Sequence, residues 1–231
     1  MTRPYEVVFA LAMLAGAATT QGTVLPHRVS GKQIAGHVLD AETGNPIAGA
    51  HVAFLWRSGI IPSGFTGHNS RDICYHAAAQ ITDAQGRFDI PPWKEWTTYE
   101  VYPVDPIVLV YVPAYNPMQL AQESSPGSKS TKRVEERYVL ERFEGTVDQR
   151  LDVLFFGLAN QGCDYGGKSK KSLYPMLKAI HDEARRLART RKQFRTVQLI
   201  AELAADAALA ISPNTPVDDA KTKAFIEEHM K

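Results

Sequence analysis

A glycine-rich segment after residue 160 carries the residues with the most recognisable chemistry. Residues 162–169 read GCDYGGKS, which satisfies the phosphate-binding pattern G-x-x-x-x-G-K-[ST]. In such a loop backbone amides would cradle phosphates, Lys168 would reach the β- and γ-phosphates, and Ser169 would bind magnesium. A nucleotide site of this kind also needs a surrounding parallel sheet. The same sequence is also expected for a glycine-rich connection in which Cys163 forms a disulfide. Nucleotide binding through Lys168 and Ser169 is therefore kept as an alternative function.

The histidines and hydroxyl residues do not form an enzyme motif. None of the seven histidines lies in an H-E-x-x-H pattern, and no G-x-S-x-G nucleophile elbow occurs. One loop could bring His68 and His76 together with Asp72, although separate surface histidines are the simpler interpretation. We therefore predict a protein that is not an enzyme and has no metal site and no cofactor.

Two tryptophans, Trp93 and Trp96, follow a pair of prolines. If they are exposed, they predict a platform for a glycan or a peptide, together with the Gly/Pro-rich loop at residues 58–68. The alternative is that they cover the hydrophobic core, since tryptophan is highly buried on average.

Basic residues concentrate in residues 168–195, where only Asp182 and Glu183 oppose them. This segment predicts either peripheral contact between a basic helix and an anionic surface, or a solvated helix docked on the rest of the chain. Over the whole chain 26 Lys and Arg stand against 25 Asp and Glu, which gives no reason to propose a nucleic acid partner.

The first 22 residues have the layout of a secretory signal peptide. Arg3 precedes an apolar run at residues 7–18, which is too short to span a bilayer. The small residues Ala15 and Ala17 suit cleavage just after Ala17, and no cysteine of a lipoprotein signal follows. The segment predicts a periplasmic or secreted protein. A short buried helix or a membrane-proximal anchor is the alternative.

Cys74 and Cys163 are the two cysteines of the chain. An even count in an exported protein predicts a disulfide between them. That bond would close a loop of roughly 90 residues and stabilise the fold by about 4 to 5 kcal/mol in the chain-entropy model. The alternative is two unrelated buried thiols.

The chain up to residue 156 is patterned as β-strands. We predict strands at residues 33–39, 51–56, 75–81, 87–90, 107–112, 138–140 and 147–156. The run at 107–112 is continuously apolar and rich in β-formers, which predicts a strand buried on both faces.

Turn residues punctuate these strands in a paired pattern. The pattern reads GxVxD at residues 36–40, TGxPIxGAxV at 43–52 and TDxxGxF at 82–88, with a chain reversal at Gly86. It resembles the carboxypeptidase regulatory-like domain family, whose members are transthyretin-like or prealbumin-like β-sandwiches. The resemblance covers roughly residues 33–115, or up to about 155 if later strands close the sandwich. It implies an accessory module of secreted and periplasmic bacterial proteins that binds, spaces or stabilises.

Helical periodicity begins at Lys170 and continues almost to the C-terminus. Apolar residues recur at spacings of three and four up to Ala188, which predicts an amphipathic helix. A second helix is predicted at about residues 193–211, and a short last helix is predicted to begin with Pro216 at its first position. Strands first and helices last indicate the α+β class.

The predicted organisation is a signal peptide at residues 1–22, an antiparallel transthyretin-like β-sandwich at 33–156 and a helical C-terminal extension at 168–231. We expect a non-catalytic exported binding or structural module of the bacterial cell envelope, with an envelope protein or a glycan as its partner. The alternatives are a carbohydrate- or peptide-binding module that uses Trp93 and Trp96, and a nucleotide-binding protein.

Overall fold

The computed structural model describes residues 27–59, 72–97, 106–121, 135–159, 170–209 and 219–230. In this part of the chain the strands come first and the helices last, which confirms the predicted α+β class. The strands are β1 (His27–Gly31), β2 (Ile34–Asp40), β3 (His51–Gly59), β4 (Asp72–Ile81), β5 (Arg87–Ile90), β6 (Trp93–Thr97), β7 (Ile107–Tyr111), β8 (Met118–Ala121) and β9 (Glu135–Leu140). The helices are α1 (Val147–Asp152), α2 (Tyr174–Leu187), α3 (Arg191–Leu209) and α4 (Asp219–His229). A π-helical turn (Val153–Leu158) continues α1, and a 3₁₀ turn (Lys171–Leu173) precedes α2.

The described strands form a two-stranded sheet β1–β6, a three-stranded sheet β5–β2–β9 and a four-stranded sheet β4–β3–β7–β8. Their pairs are antiparallel except for β2 and β9, which run parallel with Ala35 opposite Glu135 and Asp40 opposite Leu140. The prediction of an antiparallel arrangement is therefore wrong at this pair. Parallel strands need a long crossover connection, and the chain from β3 to β8 supplies one.

The segment at residues 147–156 was predicted as a strand, and that prediction is wrong because the segment forms α1 and its π-helical turn. A capping box starts the helix. Thr146 Oγ1 accepts a hydrogen bond from the Gln149 amide (3.3 Å), and the Gln149 side chain accepts one from the Thr146 amide (2.8 Å). The buried side chains of Leu151 and Leu154 then lie one helical turn apart, a spacing that alternation does not explain.

Strand β3 separates two hydrophobic clusters, because successive side chains of a strand point to opposite faces. Val52 and Phe54 join a cluster with residues of the three-stranded sheet. Ala53 and Leu55 join a second cluster with residues of the helices. The side chains of β7 also alternate between the two clusters, with Val108 and Val110 in the first and Leu109 and Tyr111 in the second. This confirms the predicted burial of residues 107–112 on both faces.

The turn between β2 and β3 is fixed by Asp40. Its Oδ1 accepts hydrogen bonds from the Thr43 amide (2.8 Å) and hydroxyl (3.0 Å), and its Oδ2 accepts one from the Tyr115 hydroxyl (2.6 Å). These hydrogen bonds lower the pKa of Asp40 to about 2, with the largest contribution from Tyr115 and the next from the Thr43 amide. Gly44 then takes a left-handed φ of 69°, and Gly86 takes one of 68° at the predicted reversal before β5.

A buried ion pair joins the helices to the end of β7. Arg150 and Glu183 form two hydrogen bonds of 2.9 Å, and their side chains are 3% and 9% exposed. The Tyr111 hydroxyl donates to Glu183 Oε2 (2.8 Å), while Arg150 also donates to the carbonyl oxygens of Tyr115 and Val112. Burial and then the Glu183 charge raise the pKa of Tyr111. The network therefore links β7, the turn after it, α1 and α2.

The helices share one core with the four-stranded sheet. Ile180 of α2 and Ile200 of α3 are fully buried in the cluster that also contains Leu55 and Leu109. None of the described helices is both long and apolar enough to cross a membrane. The predicted signal segment at residues 1–22 lies outside the described residues.

We predict that Glu183→Gln lowers the free energy of unfolding by about 3 kcal/mol, because it leaves the buried Arg150 without its counter-charge. Glu202→Gln is the matched control, since Glu202 is exposed on α3, where it accepts a hydrogen bond from Gln198, and its loss should cost less than about 1 kcal/mol. Urea denaturation of both variants measures the difference. Equal losses in the two variants would contradict a stabilising role for the buried pair.

Candidate binding surface

The β1–β6 ribbon has two different faces, because its side chains alternate along both strands. The side chains that point outward are exposed, and they are Arg28, Ser30, Lys94 and Trp96. The residues that point inward are partly buried, and they are Val29, Gly31, Trp93 and Glu95. We call the exposed set the outer face of the ribbon.

A β-bulge in β4 directs two consecutive residues toward the inner side of the ribbon. Trp56 pairs with His76 and Arg57 pairs with Cys74, so that Tyr75 is the extra residue. Strict alternation would have placed Tyr75 and His76 on opposite faces of the sheet. The bulge instead lets both of them reach the same aromatic neighbours.

Four rings pack together beneath the ribbon, and we call Trp56, Tyr75, His76 and Trp93 the aromatic cluster. His76 stacks on Trp93 with a centroid separation of 3.8 Å and an interplanar angle of 17°. Trp56 meets Trp93 edge-on at 5.1 Å, and Tyr75 lies 6.1 Å from it. Gly31 makes room for the indole, because a Cβ atom at that position would lie 2.1 Å from Trp93 Nε1.

A polar contact also ties the ribbon to the sheet. His76 Nδ1 lies 3.0 Å from Glu95 Oε1. Burial lowers the pKa of His76, and the Glu95 carboxylate opposes this shift without cancelling it. An imidazole held by a carboxylate can serve as a general base, but His76 is only 8% exposed and Trp93 covers one face of its ring. The arrangement is therefore suited to holding the ribbon in place.

The structure places Trp93 and Trp96, the two residues of the predicted binding platform, on opposite faces of β6. Trp93 lies within the aromatic cluster, and its buried Nε1 makes no hydrogen bond within the described part of the chain. Trp96 points away from the cluster and is 72% exposed. The two side chains do not form one continuous platform, so Trp96 alone of this pair offers a surface for binding. Residues 60–68 of the predicted binding loop lie outside the described residues.

The other predicted site residues are only partly described. Lys168, Ser169 and Cys163 lie outside the described residues, so the phosphate site and the disulfide stay predictions. Cys74 is buried in the cluster on the helical side of the sheet, with its sulfur 3.2 Å from the His76 carbonyl oxygen. Among the described residues, no three His, Cys, Asp or Glu side chains come together as metal ligands.

Sequence reasoning did not identify Arg28, Tyr75 or Glu95 as neighbours of the tryptophans. None of the predicted strands covers residues 27–31 or 93–97, which form β1 and β6. Residues 93–96 read WKEW, which does not alternate between apolar and polar residues, so periodicity gives no signal for this strand. A bulge such as the one at Tyr75 likewise leaves no trace in a single sequence.

Comparisons with known proteins do not assign the chain to a family. No protein-family model and no curated protein sequence matches it. A solved structure, 3-chlorocatechol 1,2-dioxygenase from Rhodococcus opacus 1CP, is similar over 49% of this chain and 60% of its own, with 11% identity and a TM-score of 0.29. The chain thus spans less than two thirds of that protein, and a similarity of this size defines neither a fold nor an activity.

We predict that acid weakens the fold through His76. Because its folded pKa is lowered, the unfolded chain binds a proton at this position more readily, and the free energy of unfolding falls as pH drops below about 7. His51 and His181 have pKa values lowered by burial as well, so they add to the same slope. Glu95→Gln removes the charge that raises the pKa of His76 and should steepen the fall, whereas His76→Phe should flatten it.

Urea denaturation of the wild type and both variants across this pH range measures the effect. Identical slopes in the three proteins would show that His76 does not titrate differently in the folded and unfolded states.

Proposed function

We propose that this chain is a non-catalytic, exported binding module of the bacterial cell envelope. In this proposal the outer face of the ribbon is the contact surface, and the rest of the fold holds that surface rigid. An envelope protein is the proposed partner, and the protein is periplasmic or secreted.

The exposure of Trp96 is the observation that carries the proposal. Trp96 is 72% exposed and lies directly opposite Arg28 across the ribbon. Tryptophan and arginine are enriched among the residues that dominate binding energy at protein interfaces. The aromatic cluster beneath the ribbon limits its movement, and a preorganised surface loses less entropy on binding.

We propose further that the β-strands form a transthyretin-like sandwich of the carboxypeptidase regulatory-like type. Support comes from the shared cluster in which Val38 and Phe88 of the three-stranded sheet contact a core that also contains Phe54 and Val110 of the four-stranded sheet. Further support comes from the turn pattern, whose Asp40 is engaged in local hydrogen bonds. Domains of this type serve as accessory modules, in agreement with the proposed role.

Export and the disulfide are tested together on protein recovered from its native host. We expect the intact mass to lack the first 17 to 22 residues, and we expect Cys74 and Cys163 to be alkylated only after reduction. Mass spectrometry with and without prior reduction measures both. A full-length chain with two free thiols would contradict export and would make residues 162–169 the next segment to test.

The contact surface is tested by capturing partners from a solubilised envelope fraction. We expect Trp96→Ala to weaken capture about thirtyfold, the effect of losing one interface hot spot. Val139→Ala is the matched control, because Val139 is also exposed on a strand but lies on β9. Quantitative mass spectrometry of the captured proteins reads the result, and equal capture by wild type and Trp96→Ala would contradict the proposal.

Glycan binding is the second candidate, because an exposed indole such as Trp96 also suits a sugar ring. A soluble cell-wall glycan that changes tryptophan fluorescence in the wild type but not in Trp96→Ala would favour it over a protein partner.

A further inference from the structure

A cationic surface lies at the turn between α2 and α3, away from the ribbon. Residues 185–195 contain no acidic residue. Their basic side chains are all exposed, and they are Arg185, Arg186, Arg189, Arg191, Lys192 and Arg195. We call this set the basic corner.

Two other cations of the predicted basic segment differ from the basic corner because they are paired with acidic side chains. Lys170 forms an ion pair with Asp206, and Lys178 forms one with Asp182. Within the described part of the chain, no acidic side chain forms an ion pair with any residue of the basic corner. Asp148 is an acidic side chain in contact with this segment, where its Oδ1 accepts a hydrogen bond from the Gln193 side chain (2.7 Å) and forms an ion pair with none of these described cations.

Two residues of the basic corner have local structural roles. Arg189 donates hydrogen bonds to the carbonyl oxygens of Arg186 (2.7 Å) and Ala188 (2.8 Å), which satisfies the C-terminal end of α2. Arg185 lies 3.5 Å from the Met230 carbonyl oxygen. Cations near the end of α2 also interact favourably with the helix dipole.

The cations at the start of α3 have the opposite effect on the helix. Arg191 and Lys192 occupy its first turn, where the helix dipole disfavours positive charge and no acidic residue is present. Thr190 and Gln193 already cap the backbone amides, with the Gln193 side chain accepting from the Thr190 amide (3.0 Å). The helix dipole thus gives no reason for Arg191 and Lys192 at the start of α3, whereas a bound anionic surface would compensate their charge.

Apolar side chains are exposed beside these cations. Phe194 is 50% exposed and Leu199 is 38% exposed, both on α3. Leu199 follows Lys192 and Arg195 by seven and four residues, which places the three on the same side of the helix. Exposed apolar side chains among lysines and arginines are typical of helices that lie on the surface of an anionic bilayer.

We propose that the basic corner binds the surface of an anionic phospholipid bilayer. Arg191, Lys192 and Arg195 contact lipid phosphates, and Phe194 enters the boundary between headgroups and acyl chains. Each cation near an anionic surface contributes to binding, and the contribution falls as salt screens the charge. Phe194 favours a bilayer over a nucleic acid, because it offers apolar area for the lipid in addition to charge. This contact is separate from the binding proposed for the outer face of the ribbon.

Sedimentation with lipid vesicles tests the proposal on the full chain. We expect binding to phosphatidylcholine vesicles that contain phosphatidylglycerol, weaker binding at higher salt, and little binding to phosphatidylcholine alone. The triple variant Arg191→Gln, Lys192→Gln, Arg195→Gln should weaken binding on the order of a hundredfold. Phe194→Ala should weaken it about tenfold.

A charge-matched control triple comes from exposed cations that lie outside both the basic corner and the outer face of the ribbon, namely Lys32→Gln, Arg87→Gln and Arg137→Gln. The proposal predicts a much smaller loss for this control, and it predicts that the α3 triple does not lower the melting temperature, because charges unfavourable to the helix have been removed. Equal losses in the two triples would overturn it. Salt-independent binding of the wild type, or binding to a DNA duplex without binding to anionic vesicles, would overturn it as well.

Discussion

The burial of β3 and β7 on both faces of the four-stranded sheet is the constraint on which the rest of the structure depends. Residues 52–56 of β3 and 108–111 of β7 are buried on both faces of the sheet, so a charged side chain among them would be costly. Helices can approach one face closely because several of its side chains are small, such as Ala53 and Ala77. The same burial explains the ion pair near the end of β7. Arg150 and Glu183 lie where the helices cover the sheet, so each charge needs the other as its partner.

The same sheet also organises the candidate binding surface. The bulge in β4 directs Tyr75 and His76 toward Trp93, and Glu95 then holds His76 from the ribbon. The exposed Trp96 is therefore positioned by contacts that end in the buried core. The basic corner lies instead at a helix turn, so the two proposed surfaces depend on different faces of one sheet.

The sequence predicts those elements whose local pattern of apolar and turn residues agrees with their burial in the folded chain. Residues 107–112 are apolar throughout and are buried on both faces, and the turn at Gly86 is a reversal with a left-handed φ. Residues 147–156 alternate like a strand, but a capping box and burial against the sheet make them helical. The partnership of Arg150 with Glu183 has no trace in the sequence, because it depends on how α1 and α2 cross the end of β7.

Because the helices share a core with the four-stranded sheet, we infer that sheets and helices unfold as one cooperative unit. The three tryptophans lie in β3 and β6, so their fluorescence follows the strands, whereas far-ultraviolet circular dichroism is dominated by the helices. Urea unfolding followed by both signals measures whether the two parts unfold together. We predict a single transition with the same midpoint and slope by either signal. Two separate midpoints, with the helices unfolding while the tryptophans stay in their folded environment, would contradict it.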